Sequence, residues 1–251
     1  MPEKKPIVIA NWKMKLDNAA SVALALTLKK RAASNAEIVI CPSFTAITEV
    51  AKAIQHSGIA LGAQDCFWEA QGSYTGEISP SFLKSQGCDF VIVGHSERRQ
   101  YLEETDDMVH RKVDAALSAG LTPVICVGET FDQRQEGSKD YTLIQQTTKA
   151  LEGLQVSSGQ RIVIAYEPVW VIGSGHAIEP EEAALSQQII RQTLLDLFDP
   201  EVVKNNFLVI YGGSVDRDNV HKFVGLEDNN GFLVGVASLV ADDFLEIVNN
   251  V

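Results

Sequence analysis

One carboxylate in this chain stands where proton-transfer chemistry would use it. Residues 161–166 form an apolar, β-branched run, and Glu167 follows at its end, ahead of Pro168-Val-Trp170 and Ile172-Gly-Ser-Gly175. A carboxylate delivered by a buried strand beneath a glycine-tipped loop is a base shielded from water. It suits removal of a proton from a carbon next to a carbonyl. His95 lies in Val93-Gly-His-Ser-Glu-Arg-Arg99, where the glycine permits a sharp turn and Ser96 with Glu97 opens a helix. The positive end of that helix dipole favours a neutral imidazole, able to donate a hydrogen bond to a developing enediolate. Lys13 stands two residues beyond Asn11 in Asn11-Trp-Lys-Met14. In extended geometry both polar groups face one side, and the ammonium can hold an anion and neutralise oxyanion charge. Each group also has an everyday alternative: a solvated loop acid for Glu167, a cap for its own helix for His95, a surface cation for Lys13.

Three segments offer backbone N–H groups to an anion: Ile172-Gly-Ser-Gly175, Tyr211-Gly-Gly-Ser-Val215 and Val234-Gly-Val-Ala-Ser238. Each alone is an ordinary turn. The chain has no Gly-Lys-Ser/Thr phosphate loop, and Gly173-Ser-Gly175 lacks the third glycine of a dinucleotide fingerprint.

The elements that must position these groups repeat along the chain. Short, continuously apolar runs at 7–10, 37–41, 60–63, 90–94, 122–127, 162–166, 208–211 and 231–234 read as strands covered on both faces. Helical periodicity occupies 19–32, 107–119, 142–154 and 181–197, the last opened by Pro180 and an acidic first turn. Eight strands alternating with helices predict an α/β fold, a single (β/α)8 TIM barrel formed by one domain spanning 1–251. A doubly wound sheet is the alternative. In a barrel the residues just after the strands converge at one face. Here these are Asn11, Lys13, His95, Glu97, Glu129, Glu167, Ser214 and 235–238.

A chain of 251 residues that is 45% hydrophobic can bury a large core, and no apolar run reaches the roughly 18 residues of a membrane helix. The start, Met1-Pro-Glu-Lys-Lys-Pro6, is unlike a signal peptide, so a cytoplasmic protein without membrane contact is expected. A formal net charge of −12 argues against nucleic acid and leaves local donors to capture any anionic substrate. Cys41, Cys66, Cys88 and Cys126 are too widely spaced for a zinc pattern and read as buried free thiols.

Five segments together resemble the triosephosphate isomerase family across essentially the whole chain. They are Asn11-Trp-Lys-Met14, Thr75-Gly-Glu-Ile-Ser-Pro80, Gly94-His-Ser-Glu-Arg-Arg99, Tyr166-Glu-Pro-Val-Trp170 and Tyr211-Gly-Gly-Ser-Val215. The resemblance implies interconversion of dihydroxyacetone phosphate and glyceraldehyde 3-phosphate through an enediolate, with no cofactor and no metal. By that likeness Glu167 shuttles the proton and His95 polarises the oxygens. Lys13 and Asn11 stabilise negative charge, and Glu97 orients Lys13. Backbone N–H groups of Gly173, Ser214, Gly235 and Val236 hold the phosphate, and closure of 171–175 keeps the enediolate from eliminating it. The resemblance further implies a homodimer, with the loop around Gly72-Ser-Tyr-Thr-Gly-Glu77 entering a partner. Met14, Tyr74, Thr75, Glu77 and Arg98 would lie at that interface, and Thr75 would support the partner's site.

The chain departs from the family pattern at Val171-Ile-Gly-Ser-Gly-His-Ala-Ile178 in the lid and its far hinge, at Val236 for a glycine, at Lys15 for an asparagine, and at Asp65 for an asparagine. His176 in place of the usual lysine would give lid opening a pH dependence near neutrality. A tetrulose-phosphate isomerase using the same Glu167 and His95, and a non-catalytic phosphate-binding barrel, are the competing readings.

Overall fold

The computed structural model describes residues 5–32, 36–173 and 177–251. Eight parallel strands close on themselves in sequence order: β1 (Ile7–Asn11), β2 (Glu37–Cys41), β3 (Ala60–Ala63), β4 (Cys88–Val93), β5 (Thr122–Val127), β6 (Ile162–Tyr166), β7 (Phe207–Tyr211) and β8 (Gly231–Val234). β1 pairs with β8, which seals the barrel and excludes the doubly wound sheet. Around it lie α1 (Asn18–Arg31), α2 (Ile47–Ala53), α3 (Pro80–Ser85), α4 (Ser96–Leu102), α5 (Asp106–Ser118), α6 (Phe131–Gln135), α7 (Lys139–Leu151), α8 (Pro180–Leu197), α9 (Pro200–Asn206) and α10 (Ala241–Asn249).

The four periodic stretches correspond to α1, α5, α7 and α8. The third is shifted: α7 starts at Lys139 and ends before Gly153, whose φ of +75° leaves helical space. The helices that periodicity did not reveal are mostly one or two turns, too short to show it. Between β7 and β8 the described segment has a 3₁₀ turn, Val220–Lys222, instead of an α-helix. No helix among the described residues is long and apolar enough to cross a membrane.

Strand parity divides the core in two. Ile7, Ile9, Val39, Cys41, Phe90, Ile92, Val124, Cys126, Val163, Ala165, Leu208, Ile210 and Leu233 fill the barrel interior. The alternate residues, such as Val8, Ala10, Ile38, Ile40, Val91, Val93, Ile125 and Ile164, pack outward under the helices. Continuing the inward parity past the strand ends brings Asn11 and Lys13, Gln64, Gly128, Glu167, Gly212 and Gly235 to the rim. The residue that follows Ala165 inward is therefore Glu167. At the opposite mouth a two-pronged ion pair between Arg161 and Glu37, at 2.8 and 2.9 Å, crosses from β6 to β2 over the Phe90 ring. All four cysteines are buried and free.

Candidate active site

The rim residues surround a cleft of about 350 Å³ whose walls include Asn11, Lys13, His95, Glu167, Gly212 and Leu233. Glu167 is 2% exposed. Its backbone N–H donates to the Val127 carbonyl at 2.7 Å, extending the β5–β6 ladder by one rung and fixing where the side chain leaves the barrel. One carboxylate oxygen accepts from the Ser96 N–H at 3.1 Å and the other is 3.3 Å from His95 Nε2. Below it, the Cys126 thiol donates to the same carboxylate. Burial first, and that carboxylate second, push this thiol far above the ordinary range and keep it protonated.

His95 is the N-cap of α4. Its Nδ1 accepts the Glu97 N–H at 3.2 Å, so the ring's proton belongs on Nε2, which faces Glu167 and the cleft. The helix opening inferred from Ser96 and Glu97 thus selects a tautomer as well as a position.

Lys13 has a left-handed φ of +50°, unusual for a residue with a side chain. Three bonds stabilise that conformation. The Lys13 N–H donates to Asn11 Oδ1 at 3.1 Å, and Nζ donates to Glu97 Oε1 at 2.7 Å. Gln64 Nε2 donates to the Lys13 carbonyl at 2.8 Å and to the Cys41 carbonyl at 2.9 Å. Glu97, which the resemblance gives as the residue orienting Lys13, is thus in hydrogen-bond contact with its ammonium. Gln64 was not anticipated from sequence, although the inward parity of Ala60 and Gly62 in β3 would have placed it at the rim.

At the far end of the cleft Gly173, Ser214, Gly235 and Val236 all line the wall. Val236 opens a 3₁₀ turn, Val236–Leu239, which Ser238 ties to the Gly235 carbonyl through Oγ at 2.6 Å. Its side chain projects freely, 65% exposed, so a Cβ is accommodated there. The wall carries acids too, Asp216 and Asp243, and Arg217 lies 3.2 Å from Asp243. Glu129, fully buried, anchors the segment that follows β6. It accepts from Trp170 Nε1 at 3.0 Å and from the Tyr166 hydroxyl at 3.2 Å, and its carbonyl receives the Val169 N–H. Ser174, Gly175 and His176 lie outside the described residues, and with them the tip of the lid and the hinge histidine.

The residues expected at an interface divide into two groups. Met14 is 93% exposed and Tyr74 45%, the latter against Phe67 at 4.7 Å, and Thr75 and Glu77 are exposed beside it. Arg98 instead turns inward, 2.9 Å from Asp65 and 2.6 Å from Glu104, and Lys112, 3% exposed, is shared by the same two carboxylates. Burial would raise the Glu104 carboxyl, but Lys112 and Arg98 outweigh it and hold the group below the usual range. For Asp65 burial outweighs Lys112, and its carboxyl is pushed up to about 6.

Because the folded protein binds that proton more tightly than the unfolded chain does, Asp65 weakens the fold as pH rises from about 4 to about 6. Asp65→Asn, which keeps an acceptor for Lys112, is expected to melt about 5 °C above the parent at pH 7.5. The gap should close below pH 4. Parallel calorimetric melts across pH check this, and a gap independent of pH refutes the assignment.

The family model described as Triosephosphate isomerase matches residues 6–251. Among curated proteins, the chain is 46% identical to the triosephosphate isomerase of Thermoanaerobacter sp. (strain X514), covering 98% of this chain and 99% of that one. It is 44% identical to that of Geobacter metallireducens, covering 98% of each, and 41% identical to that of Dictyoglomus turgidum, covering 98% of this chain and all of that protein.

Proposed function

The chain belongs to the triosephosphate isomerase family, and from that premise we infer how its residues divide the reaction. The activity is that of an isomerase interconverting dihydroxyacetone phosphate and D-glyceraldehyde 3-phosphate. In our reading Glu167 removes a proton from the hydroxymethyl carbon of the ketose, and the electron pair moves into the carbonyl to leave an enediolate. His95 Nε2 gives its proton to the former carbonyl oxygen and takes back the hydroxyl proton of the first carbon. The same Glu167 carboxyl then returns the abstracted proton to the neighbouring carbon to give the aldose. Both carbons must lie within reach of one carboxylate, which has to leave the Ser96 N–H as substrate enters.

His95 donates from Nε2 to the oxygens on which charge develops, and Lys13 and Asn11 add positive charge and a polar contact on the opposite side. The phosphate takes the N–H groups of Gly173, Ser214, Gly235 and Val236, local donors acting against a net charge of −12. Closure of 171–175 over the cleft excludes water and holds the enediolate away from the geometry that expels phosphate. One observation carries this reading: a 2%-exposed Glu167 stands 3.3 Å from His95 Nε2, whose partner nitrogen Nδ1 accepts the Glu97 N–H, at the mouth of the same cleft as Lys13.

We also propose that residues 1–251 act as one cytoplasmic domain and that two copies associate. Exposed Met14 and the protruding 72–77 loop would form the contact, and Arg98 would support that loop through Asp65 rather than touch the partner itself. A coupled spectrophotometric assay tests the chemistry. Rapid turnover of both triose phosphates with added metal chelator is expected. Conversion of a tetrulose phosphate in its place overturns the reading. Light scattering on the same sample should give twice the mass of one chain, and a single-chain mass in an active sample removes the dimer.

A further inference from the structure

Arg98 and Arg99 both follow the histidine, and only Arg98 has found a place so far. The Arg99 side chain turns back toward the strand that delivers His95. Its Nε donates to the Gly94 carbonyl at 2.8 Å and its Nη1 to Asp106 Oδ1 at 2.6 Å. The Gly94 N–H is held at 2.9 Å by Glu104 Oε1. Both backbone groups of the residue before His95 are therefore gripped by side chains. The grip matters because Gly94 has φ +71°, where glycine is loosely constrained by its own sterics. Arg99 also donates its backbone N–H to the His95 carbonyl at 3.2 Å, so one residue braces the histidine from both sides. Its Nη2 is buried without an acceptor among the described residues. The fork is aimed by Gly94 and Asp106.

We propose that Arg99 is a positioning residue for the isomerisation, setting the direction of His95 Nε2 by fixing the Gly94 carbonyl. The assignment rests on the reading of His95 as the group that polarises substrate. A lysine keeps the charge but is a single point donor and cannot serve both acceptors from the same place. Misplacement of a reacting group by 1 Å can cost about a hundredfold. With the histidine one residue removed, the loss expected for Arg99→Lys is about tenfold in kcat, with KM within about twofold. Asp106→Asn, which leaves the Gly94 contact and loosens only the outer anchor, should cost about threefold and serves if Arg99→Lys does not fold. In ¹⁵N-histidine-labelled protein the His95 ring resonances should move in either variant, because its Nδ1 bond to the Glu97 N–H is disturbed.

His95→Gln is measured alongside. It should lower kcat by at least about a hundredfold, and adding Arg99→Lys to it should cost nothing more, because the path through the histidine is gone. Activity retained in His95→Gln overturns the reading of the site, and with it this proposal. A large His95 effect overturns the positioning role alone if the single Arg99 and Asp106 variants stay within twofold of the parent. It does so too if the Arg99 loss persists undiminished in the double variant.

Discussion

Replacing Glu167 by aspartate is expected to lower kcat by roughly 10²–10³-fold while leaving KM within a fewfold of the parent. The reason lies in how the carboxylate is mounted. Its backbone is fixed by the Val127 carbonyl at 2.7 Å and its strand is paired on both sides, so the residue cannot advance to make up for a lost methylene. The shorter side chain retracts the base by about 1 Å from any carbon it must reach. The charge, the cleft and the phosphate donors are untouched, which is why binding should survive. Steady-state kinetics on both triose phosphates measure the split. A kcat within tenfold of the parent would mean that proton abstraction does not depend on this carboxylate's reach.

The second large effect is expected one strand away. Gly128 follows Cys126 on the inward parity of β5, and a Cβ built there overlaps the carbonyl oxygen of Glu167. The neighbour is backbone, not the movable tip of a side chain, so Gly128→Ala must push β6 away at the residue that carries the base. Gln146 pins Gly128 in turn, accepting its N–H at 2.8 Å and donating to its carbonyl at 3.3 Å, so the glycine cannot yield either. The cost is placed at about 3 kcal/mol, the upper end for overpacking, or about 6–12 °C in Tm for a chain of this size. Below the lowered Tm, kcat should still fall by about a hundredfold because Glu167 is displaced. Melting followed by circular dichroism and kinetics at 15 °C separate the two losses. A folded variant with kcat within threefold of the parent refutes the clash.

These two positions also show how legible the site was. Glu167, His95, Lys13 and Asn11 could be picked out because their types contrast with the apolar runs they terminate. The same contrast exposed Glu129, although its role as anchor for Trp170 and Tyr166 came only from the folded chain. Gln64, Cys126 and Gly128 carry no such contrast. A glutamine in a loop, a small apolar thiol and a glycine before a charged residue are commonplace in sequence. They matter because closure of the barrel puts Gln64 beneath Lys13, and Cys126 and Gly128 against Glu167. The pairing of Arg98 belongs to the same class. The resemblance implies a place for it near the interface, and only the folded chain shows the carboxylates that hold it, Asp65 and Glu104, 33 residues earlier and 6 later.

What the sequence determined by itself is periodicity and chemistry. Eight apolar runs of strand length, the caps and glycines between them, and a few reactive groups at their ends follow from local sterics and hydrophobicity, which act over a few residues. Tertiary structure alone decided the closing pair β1–β8, the inward parity shared by all strands, and the left-handed Lys13 held by Gln64. It also set the tautomer-selecting bond at His95 and the approach of Gly128 to Glu167. Each of these joins groups brought close by strand register or by a turn's geometry. Such terms exist only once the barrel has closed, and no single segment of the chain carries them.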